Sequence, residues 1–263
     1  MNKDKTNNSS RPCAYAAHTP TCARAGQLNV LIACEESQAE CLAFRALGCN
    51  AYSCDIQPCR KGGNPAYHIQ GDVTPYLQGK VSFKTMDGRR HKVKCWHLII
   101  AHPPCTYLCK VGSPHLYKDP DELIYVDGKE KMVNKDRYTK MLEARQFFML
   151  CLSANAPYVA VENPIPMKLA QLPKPTSFAC PSWFGVKYTK KTLYWLKNLP
   201  GLFAECVYSN PKQFVRSSRG KYRSRTFPQL AQAIARQWTD FIISDSNTKT
   251  HSKPNQHGIS TIR

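Results

Sequence analysis

The sequence lacks an apolar run long enough to cross a membrane, and its N-terminus lacks the apolar core of a signal peptide. A membrane-spanning helix needs about 20 predominantly apolar residues, so we expect no membrane partner. The 13 cysteines include no C-x-x-C pair, which argues against a zinc site. Because disulfide frameworks are typical of short secreted chains, we expect reduced thiols, no bound metal and a cytoplasmic location.

The chain is also poor in acidic residues. It contains 18 Asp and Glu against 37 Lys and Arg, a formal net charge of +19, and such an excess favours polyanionic partners. Between Lys212 and Arg236 there are seven basic residues and no acidic one. A solvated basic surface that only aids solubility is one interpretation. The other is phosphate contact, and it predicts nucleic-acid binding by Arg216, Arg219, Lys221, Arg223 and Arg225.

What is present suits one α/β domain. The 263 residues are 42% hydrophobic, enough for a full core. Polar segments predict disordered tails at 1–27 and 244–263, around a domain at 28–243. Strands alternating with helices predict a doubly wound parallel sheet. The predicted elements are strands at 28–33, 50–54, 68–69, 97–101 and 158–161, helices at 35–47 and 138–154, a hairpin at 81–94 and a mobile loop at 112–136.

Polar residues follow four of the predicted strands. Asp55 and Asp72 follow the second and third strands, and Cys105 and Glu162 follow the fourth and fifth. In an open α/β sheet, ligands bind at the carboxyl ends of the strands, where an acid after the second strand holds ribose hydroxyls. Each Asp could instead form a turn, and Cys105 could be a small buried hydrophobe. Together they predict one site with a nucleophile and an acid.

The order and content of these motifs resemble the DNA cytosine-5 methyltransferases, most closely the small phage-encoded members. The matching motifs span residues 28–243 and are Asp55, Gly71-Asp72-Val73, the catalytic loop Pro103-Pro104-Cys105, Glu162-Asn163, the segment 184–194 against YGVPQxRxRLF, and the closing helix 227–235. The resemblance implies a Rossmann-like, doubly wound, mostly parallel sheet of the class I methyltransferase type, with a hairpin insertion and a small basic C-terminal segment.

The resemblance also implies the cofactor, the partner and the site residues. The cofactor is S-adenosylmethionine and the partner is DNA. The implied catalytic residues are Cys105, Glu162, Asn163, Pro104 and Lys190. The implied cofactor-binding residues are Ala33, Glu35, Glu36, Asp55, Ile56, Asp72, Val73 and Pro103.

The chemistry of cytosine methylation explains these residue types. C5 of cytosine is a poor nucleophile until a thiolate adds to C6, so Cys105 is expected to have a raised thiolate fraction. Glu162, with a raised pKa, is expected to donate a proton near N3. Asn163 would orient Glu162, and Lys190 would contact the base carbonyl. The base must leave its stack, and the loop at 106–136 is expected to close over it.

The sequence departs from the family in three places. The first loop, 33–38, has no glycine where the family has F-x-G-x-G, although an acid there could face the methionine ammonium. The Q-x-R-x-R positions hold Tyr188, Lys190 and Thr192. Residues 196–222 leave no room for the family's large target-recognition segment, so little base readout is expected.

Three alternatives follow from these departures. An amino methyltransferase would carry an aromatic residue in the loop where Cys105 stands, which argues against that class. The substrate could instead be another nucleobase or a free nucleotide. The chain could also be a catalytically silent nucleic-acid binder, although the intact Cys105 and Glu162 oppose this.

Overall fold

The computed structural model describes residues 28–214 and 226–251. In these ranges the strands are β1 (Asn29–Ala33), β2 (Asn50–Asp55), β3 (His68–Gln70), β4 (Ser82–Lys84), β5 (Arg90–Lys92), β6 (Leu98–Ala101), β7 (Glu122–Val126), β8 (Lys129–Val133), β9 (Tyr158–Asn163), β10 (Ser177–Ala179), β11 (Tyr188–Thr189), β12 (Thr192–Lys197) and β13 (Lys212–Gln213). The helices are α1 (Ala39–Ala46), α2 (Thr74–Leu77), α3 (Lys135–Leu152) and α4 (Pro228–His251). None of these helices is both long enough and apolar enough to cross a bilayer.

Seven strands form the central sheet, in the order β3-β2-β1-β6-β9-β12-β10. The first five of these run parallel, and β12 is antiparallel to both β9 and β10. Continuous apolar runs such as Leu98–Ala101 form strands buried on both faces, as parallel strands are. The predicted Rossmann-like, doubly wound, mostly parallel sheet of the class I methyltransferase type is therefore confirmed.

Alternating residues of the sheet face two cores. Leu31 and Ile99 face the core that α3 covers, and Ile32 and Ile100 face the core on the side of α1 and α4. The strand order reverses between β1 and β6, because β2 follows on one side of β1 and β9 on the other side of β6. This reversal is the topological switch point, and ligands of such sheets bind beside it at the carboxyl ends of the strands.

Three helices differ in their bounds from the predictions. Helix α1 begins at Ala39 rather than at residue 35, because the Glu35 carboxylate accepts hydrogen bonds from the first turn. Helix α3 spans Lys135–Leu152 rather than 138–154, since Asn134 caps it by accepting from the Arg137 N–H at 3.0 Å. Helix α4 continues to His251, past the predicted boundary at 243, and the domain boundaries stay a prediction.

Two hairpins are inserted into the sheet topology. The predicted hairpin is confirmed as β4 and β5, joined at Asp87-Gly88, where Gly88 has φ +88°. The prediction of an irregular loop at 112–136 is wrong. Its second half is the hairpin β7–β8, which turns at Asp127-Gly128 with both residues at positive φ, the conformation that a two-residue hairpin turn requires.

Candidate active site

The predicted polar residues meet at the switch point. The strand register pairs Ala33 with Cys54 and with Ala101, and pairs Ala101 with Val161. Since these parallel strands end level, the last residues of the strands and the residues that follow them lie along one edge of the sheet. The structure therefore brings together the first loop, Asp55, the loop of Cys105 and Glu162.

The Cys105 loop is attached to the loop that follows β9. The Lys110 N–H donates to the Ile165 carbonyl at 2.8 Å, and the Met167 N–H donates to the Leu108 carbonyl at 2.7 Å. These two hydrogen bonds hold the half-buried Cys105 beside the Glu162 loop. The two loops thus form one backbone unit across the carboxyl end of the sheet.

Cys105 does not have the raised thiolate fraction that was expected. Its thiol donates to the sulfur of Cys109, and this hydrogen bond, burial and the Cys109 and Glu162 charges raise its pKa, with Lys190 opposing them. The same hydrogen bond and backbone N–H groups that include Gly112 lower the pKa of Cys109 to about 6. This hydrogen bond therefore favours the thiolate form of Cys109 and the protonated form of Cys105. The sequence alone did not indicate a role for Cys109, because its spacing from the other cysteines suits no metal site.

A histidine lies between two carboxylates behind Cys105. His102 Nε2 is 3.2 Å from Glu40 Oε2, and Nδ1 is 3.4 Å from Glu162 Oε2. The Glu40 side chain is fully buried and accepts a hydrogen bond from the Thr226 hydroxyl at 3.1 Å. Burial alone would lower the pKa of His102, but the two carboxylates outweigh burial and raise it well above its usual range. Sequence reasoning missed His102 and Glu40.

The expected rise in the pKa of Glu162 is also wrong. Burial would raise it, but the hydrogen bond from His102, the charge of His102 and the charge of Lys190 lower it. Glu162 is therefore ionised and paired with a protonated imidazole. The next residue, Asn163, is fully buried and donates from Nδ2 to the Pro164 carbonyl at 2.8 Å, which fixes the turn after β9.

The first loop adopts a glycine-type backbone without a glycine. Cys34 has φ +60° and Gln38 has φ +57°, values that residues other than glycine rarely adopt. Gln38 is fully buried, donates to Ser53 Oγ at 3.1 Å and accepts from the Asn64 N–H at 2.6 Å. These bonds stabilise the strained turn, so the loop keeps a fixed shape although it lacks the family's glycines.

Both carboxylates of the first loop already have partners within the protein. Glu35 accepts from the N–H groups of Glu40 at 2.7 Å and Cys41 at 3.2 Å, and burial followed by the Glu40 charge raises its pKa to about 8. Glu36 forms an ion pair with Arg60. Glu35 uses its oxygens to cap α1 although it lines the cavity described below, and the expectation that an acid of this loop faces a ligand ammonium stays a prediction.

A cavity of about 220 Å³ lies beside these residues, and we call it the switch-point cavity. It is lined by Cys34, Glu35, Glu36, Ser37, Asp55, Gln57, His102 and Thr226. Asp55 accepts from the Gln57 N–H through Oδ1 at 2.8 Å, and burial raises its pKa. Ile56, the residue after this carboxylate, is 72% exposed.

The other predicted cofactor residues take three different positions. Asp72 is exposed and accepts from the Thr74 N–H at 2.9 Å, so it forms the turn that begins α2. The side chains of Val73 and Ala33 are buried in the core. In the catalytic loop Pro103 is buried, whereas Pro104 is exposed.

The five predicted nucleic-acid-binding residues lie outside the described residues. They are Arg216, Arg219, Lys221, Arg223 and Arg225. The residues on either side of this segment are described, and they meet beside Tyr188. The ring centroids of Phe214 and Phe227 are 5.7 Å apart, and lie 5.5 Å and 6.3 Å from the Tyr188 ring. Phe214 and Phe227, the described residues that flank this segment in the sequence, therefore lie together beside Tyr188.

We predict that His102 keeps its imidazolium at a pH where other histidines are neutral. The nitrogen-15 signals of the imidazole rings should show His102 still doubly protonated at a pH at which the control histidines are neutral. His97 and His68 are internal controls, since burial lowers the pKa of each. Glu162→Gln should lower the pKa of His102 by removing one of its two carboxylates. A His102 that titrates together with the two controls would contradict this assignment.

Comparisons with known proteins identify no family. The chain matches no protein-family model and no curated protein. One solved structure that it is similar to is a prophage-encoded E. coli protein provisionally described as a DNA modification methyltransferase. The two share 13% identity at a TM-score of 0.34, over 64% of this chain and 46% of that one. The chain thus spans less than half the length of that protein, and a likeness this distant carries no functional argument.

Proposed function

We propose that the protein transfers a methyl group from S-adenosylmethionine to C5 of cytosine in DNA through a covalent adduct on Cys105. The observation that carries this proposal is the joined pair of loops at the switch point. One loop presents a thiol with a neighbouring thiolate, and the other presents a carboxylate paired with a protonated histidine. A nucleophile and a proton source on opposite sides of one site suit addition to a nucleobase ring.

The switch-point cavity suits a cationic nucleoside better than a phosphorylated one. Among the described residues that line it there is no lysine or arginine, whereas Glu36 and Asp55 are present. The N-terminus of α1, where a phosphate would bind in a dinucleotide fold, is occupied by the Glu35 carboxylate. Asp55 keeps one oxygen for ribose hydroxyls, and Ile56 offers an apolar surface for the adenine ring. S-Adenosylmethionine carries a sulfonium and an ammonium and no phosphate, so it fits.

The thiol pair provides the nucleophile. As the base approaches, the Cys109 thiolate accepts the Cys105 proton, and the Cys105 sulfur forms a bond to C6 of cytosine. The electron pair of the C5–C6 double bond then makes C5 nucleophilic. S-Adenosylmethionine, when bound, supplies the electrophilic methyl group that C5 takes. Water takes the C5 proton, and the Cys105 sulfur departs and regains its proton from Cys109. The N3 proton returns through Glu162 to His102, which restores the aromatic ring and the starting state of the site.

The buried histidine provides the proton for the opposite edge of the base. When Cys105 adds to C6, negative charge develops near N3, next to Glu162. The proton moves from His102 Nδ1 to Glu162 and from Glu162 to N3, while the charge of Glu40 stabilises the imidazolium beforehand. Asn163 holds the turn that orients Glu162, and Lys190 supplies a cation for the base carbonyl. This route supplies a proton although the pKa of Glu162 is lowered.

A second candidate is methyl transfer to another nucleobase or to a free nucleotide. The observation in its favour is the short connection between β12 and β13, which run to Lys197 and from Lys212. Reading several bases in a groove needs several side chains, and this connection offers few. A smaller substrate would need fewer contacts.

Mass spectrometry of nucleosides tests both candidates. DNA from cells that express the wild-type chain should contain 5-methylcytosine, and DNA from cells that express Cys105→Ser should not. Methylation of a different base in DNA, or of the free nucleotide pool alone, would favour the second candidate. If no modified nucleoside accumulates in either pool, methyl transfer is excluded and a binding role remains.

We predict that Asp55→Ala weakens binding of S-adenosylhomocysteine by about 10- to 100-fold, the scale of a lost hydrogen bond to a charged group. Titration calorimetry measures the affinity directly and needs no nucleic acid. Asp136→Ala is the matched control, since it removes an exposed carboxylate on α3 and should leave the affinity unchanged. Equal affinity for the wild type and Asp55→Ala would place the ribose elsewhere.

A further inference from the structure

The β4–β5 hairpin carries a concentration of exposed positive charge outside the candidate active site. Residues 80–94 contain six Lys and Arg and one acidic residue, Asp87. That carboxylate accepts a hydrogen bond from Thr85 at 2.6 Å and pairs with Arg89 at 3.4 Å, so its charge is used within the turn. Four exposed cations have no hydrogen bond or ion pair to any described residue: Lys84, Arg90, Lys92 and Lys94.

The strand register places two of these cations directly opposite each other. Lys84 pairs with Arg90 across the two strands. Like charges at opposite positions destabilise a hairpin, so this pair costs free energy in the isolated protein. A polyanion bound to this face would attract both cations and offset their repulsion. A role in solubility alone gives no reason to place two like charges opposite each other.

The opposite face of the hairpin holds the cations in place. Phe83 is buried, and its ring lies 5.6 Å from Trp96 and 5.3 Å from His91 between centroids, stacked on both. The Tyr52 ring of the central sheet lies 4.6 Å from the same ring. His91 is further held by the Thr85 hydroxyl at 3.0 Å. The cations are therefore presented by a rigid element.

The geometry of the outer face matches a nucleic-acid backbone. Alternate residues of a strand lie about 6.8 Å apart, comparable with the distance between successive phosphates. Arg90, Lys92 and Lys94 alternate in this way with the less exposed His91 and Val93. The hairpin turn also contacts the loop that follows β2, because the Cys59 N–H points to Met86 Sδ at 3.4 Å.

We propose that the outer face of the β4–β5 hairpin binds the phosphate backbone of DNA, as a contact surface separate from the catalytic loops. The identification of DNA as the partner of this surface rests on the proposed function. Phosphate contacts position a duplex and carry no sequence information by themselves, so this surface contributes affinity rather than specificity.

The salt dependence of duplex binding tests this surface without any catalytic step. Fluorescence anisotropy of a labelled duplex is measured over a range of salt concentrations, without cofactor. Three proteins are compared: the wild type, a hairpin variant with Lys84→Gln and Lys92→Gln, and a control variant with Lys174→Gln and Lys197→Gln. Both variants lose two exposed charges, and the control residues lie outside the loop at 106–136. Each phosphate contact contributes roughly 0.9 to the log–log slope, so the hairpin variant should lose about 2 and the control should lose none.

Comparison of the two variants distinguishes a contribution of this particular surface from a general effect of lowering the positive charge of the protein. Equal losses of slope in both variants, or a wild-type slope in the hairpin variant, would overturn the proposal. A charge-retaining variant, Lys84→Arg with Lys92→Arg, should keep the wild-type slope, which excludes misfolding as the cause. If hairpin-dependent binding occurs but no methylated nucleoside is found in cells, the surface stands and the proposed function fails.

Discussion

Replacing Cys105 with serine should abolish the covalent adduct with 5-fluorocytosine DNA and reduce methyl transfer by about 10⁶-fold, the scale on which loss of a nucleophile acts. Fluorine at C5 leaves no proton to remove, so the wild-type adduct should persist and can be detected as a mass increase of the intact protein. The fold should survive, since serine is nearly isosteric with cysteine and Cys105 is only half-buried.

Cys109→Ser is the matched control, because it removes the neighbouring thiol. This variant should still form the adduct, but about 10²-fold more slowly at pH 7, as expected for a lost general base. The wild-type rate of adduct formation should rise with pH through the Cys109 pKa of about 6, because only the thiolate accepts the proton. In Cys109→Ser the rise should move to higher pH, where Cys105 must ionise by itself.

The opposite result would reverse the assignment. An adduct that persists in Cys105→Ser and disappears in Cys109→Ser would make Cys109 the nucleophile. Tryptic mapping of the adduct peptide distinguishes the two thiols directly.

Replacing Glu162 with glutamine should reduce methyl transfer by about 10²- to 10⁴-fold, the usual contribution of a general acid. The amide cannot pass a proton from His102 to the base. Because Glu162 does not line the switch-point cavity, the affinity for S-adenosylhomocysteine should stay at the wild-type value. Transfer of a labelled methyl group to DNA measures the first quantity, and calorimetry measures the second.

Glu143→Gln is the control for this substitution, since Glu143 is exposed on α3, outside the loop at 106–136. Its methyl transfer should equal that of the wild type. Loss of cofactor binding together with activity in Glu162→Gln would instead indicate a structural role for the carboxylate.

The sequence predicted the sheet and the residues at its carboxyl edge because both depend on local patterns. Buried parallel strands are continuous apolar runs, and the residue after such a run lies at the edge of the sheet. Cys105 and Glu162 could therefore be placed near each other without a structure. The hairpin at Asp87-Gly88 was predicted from its turn residues.

The second hairpin carried the same signal and was missed. Asp127-Gly128 follows the run Leu123–Val126, in which buried and exposed residues alternate. The charged residues around it suggested an irregular loop instead. A turn signal between two short runs outweighs the charge of the flanking residues.

The partners of the catalytic groups could not be predicted, because they depend on contacts between distant parts of the chain. Glu40 lies in the first turn of α1, where an acid normally faces solvent, yet it is fully buried against His102. The pKa of Cys109 is lowered by the hydrogen bond from the Cys105 thiol, four residues away, and by backbone N–H groups of the turn that follows Cys109. The ionisation states predicted for Cys105 and Glu162 were wrong for this reason.

The two backbone hydrogen bonds between the Cys105 loop and the Glu162 loop have a consequence for the energetics of turnover. When reacting groups lie on independent loops, each catalytic cycle loses entropy in bringing them together. Here the Lys110–Ile165 and Leu108–Met167 bonds join the loops when the chain folds, so that loss does not recur. In the proposed reaction, the thiol and the carboxylate would therefore meet the base in positions that folding has already set relative to each other.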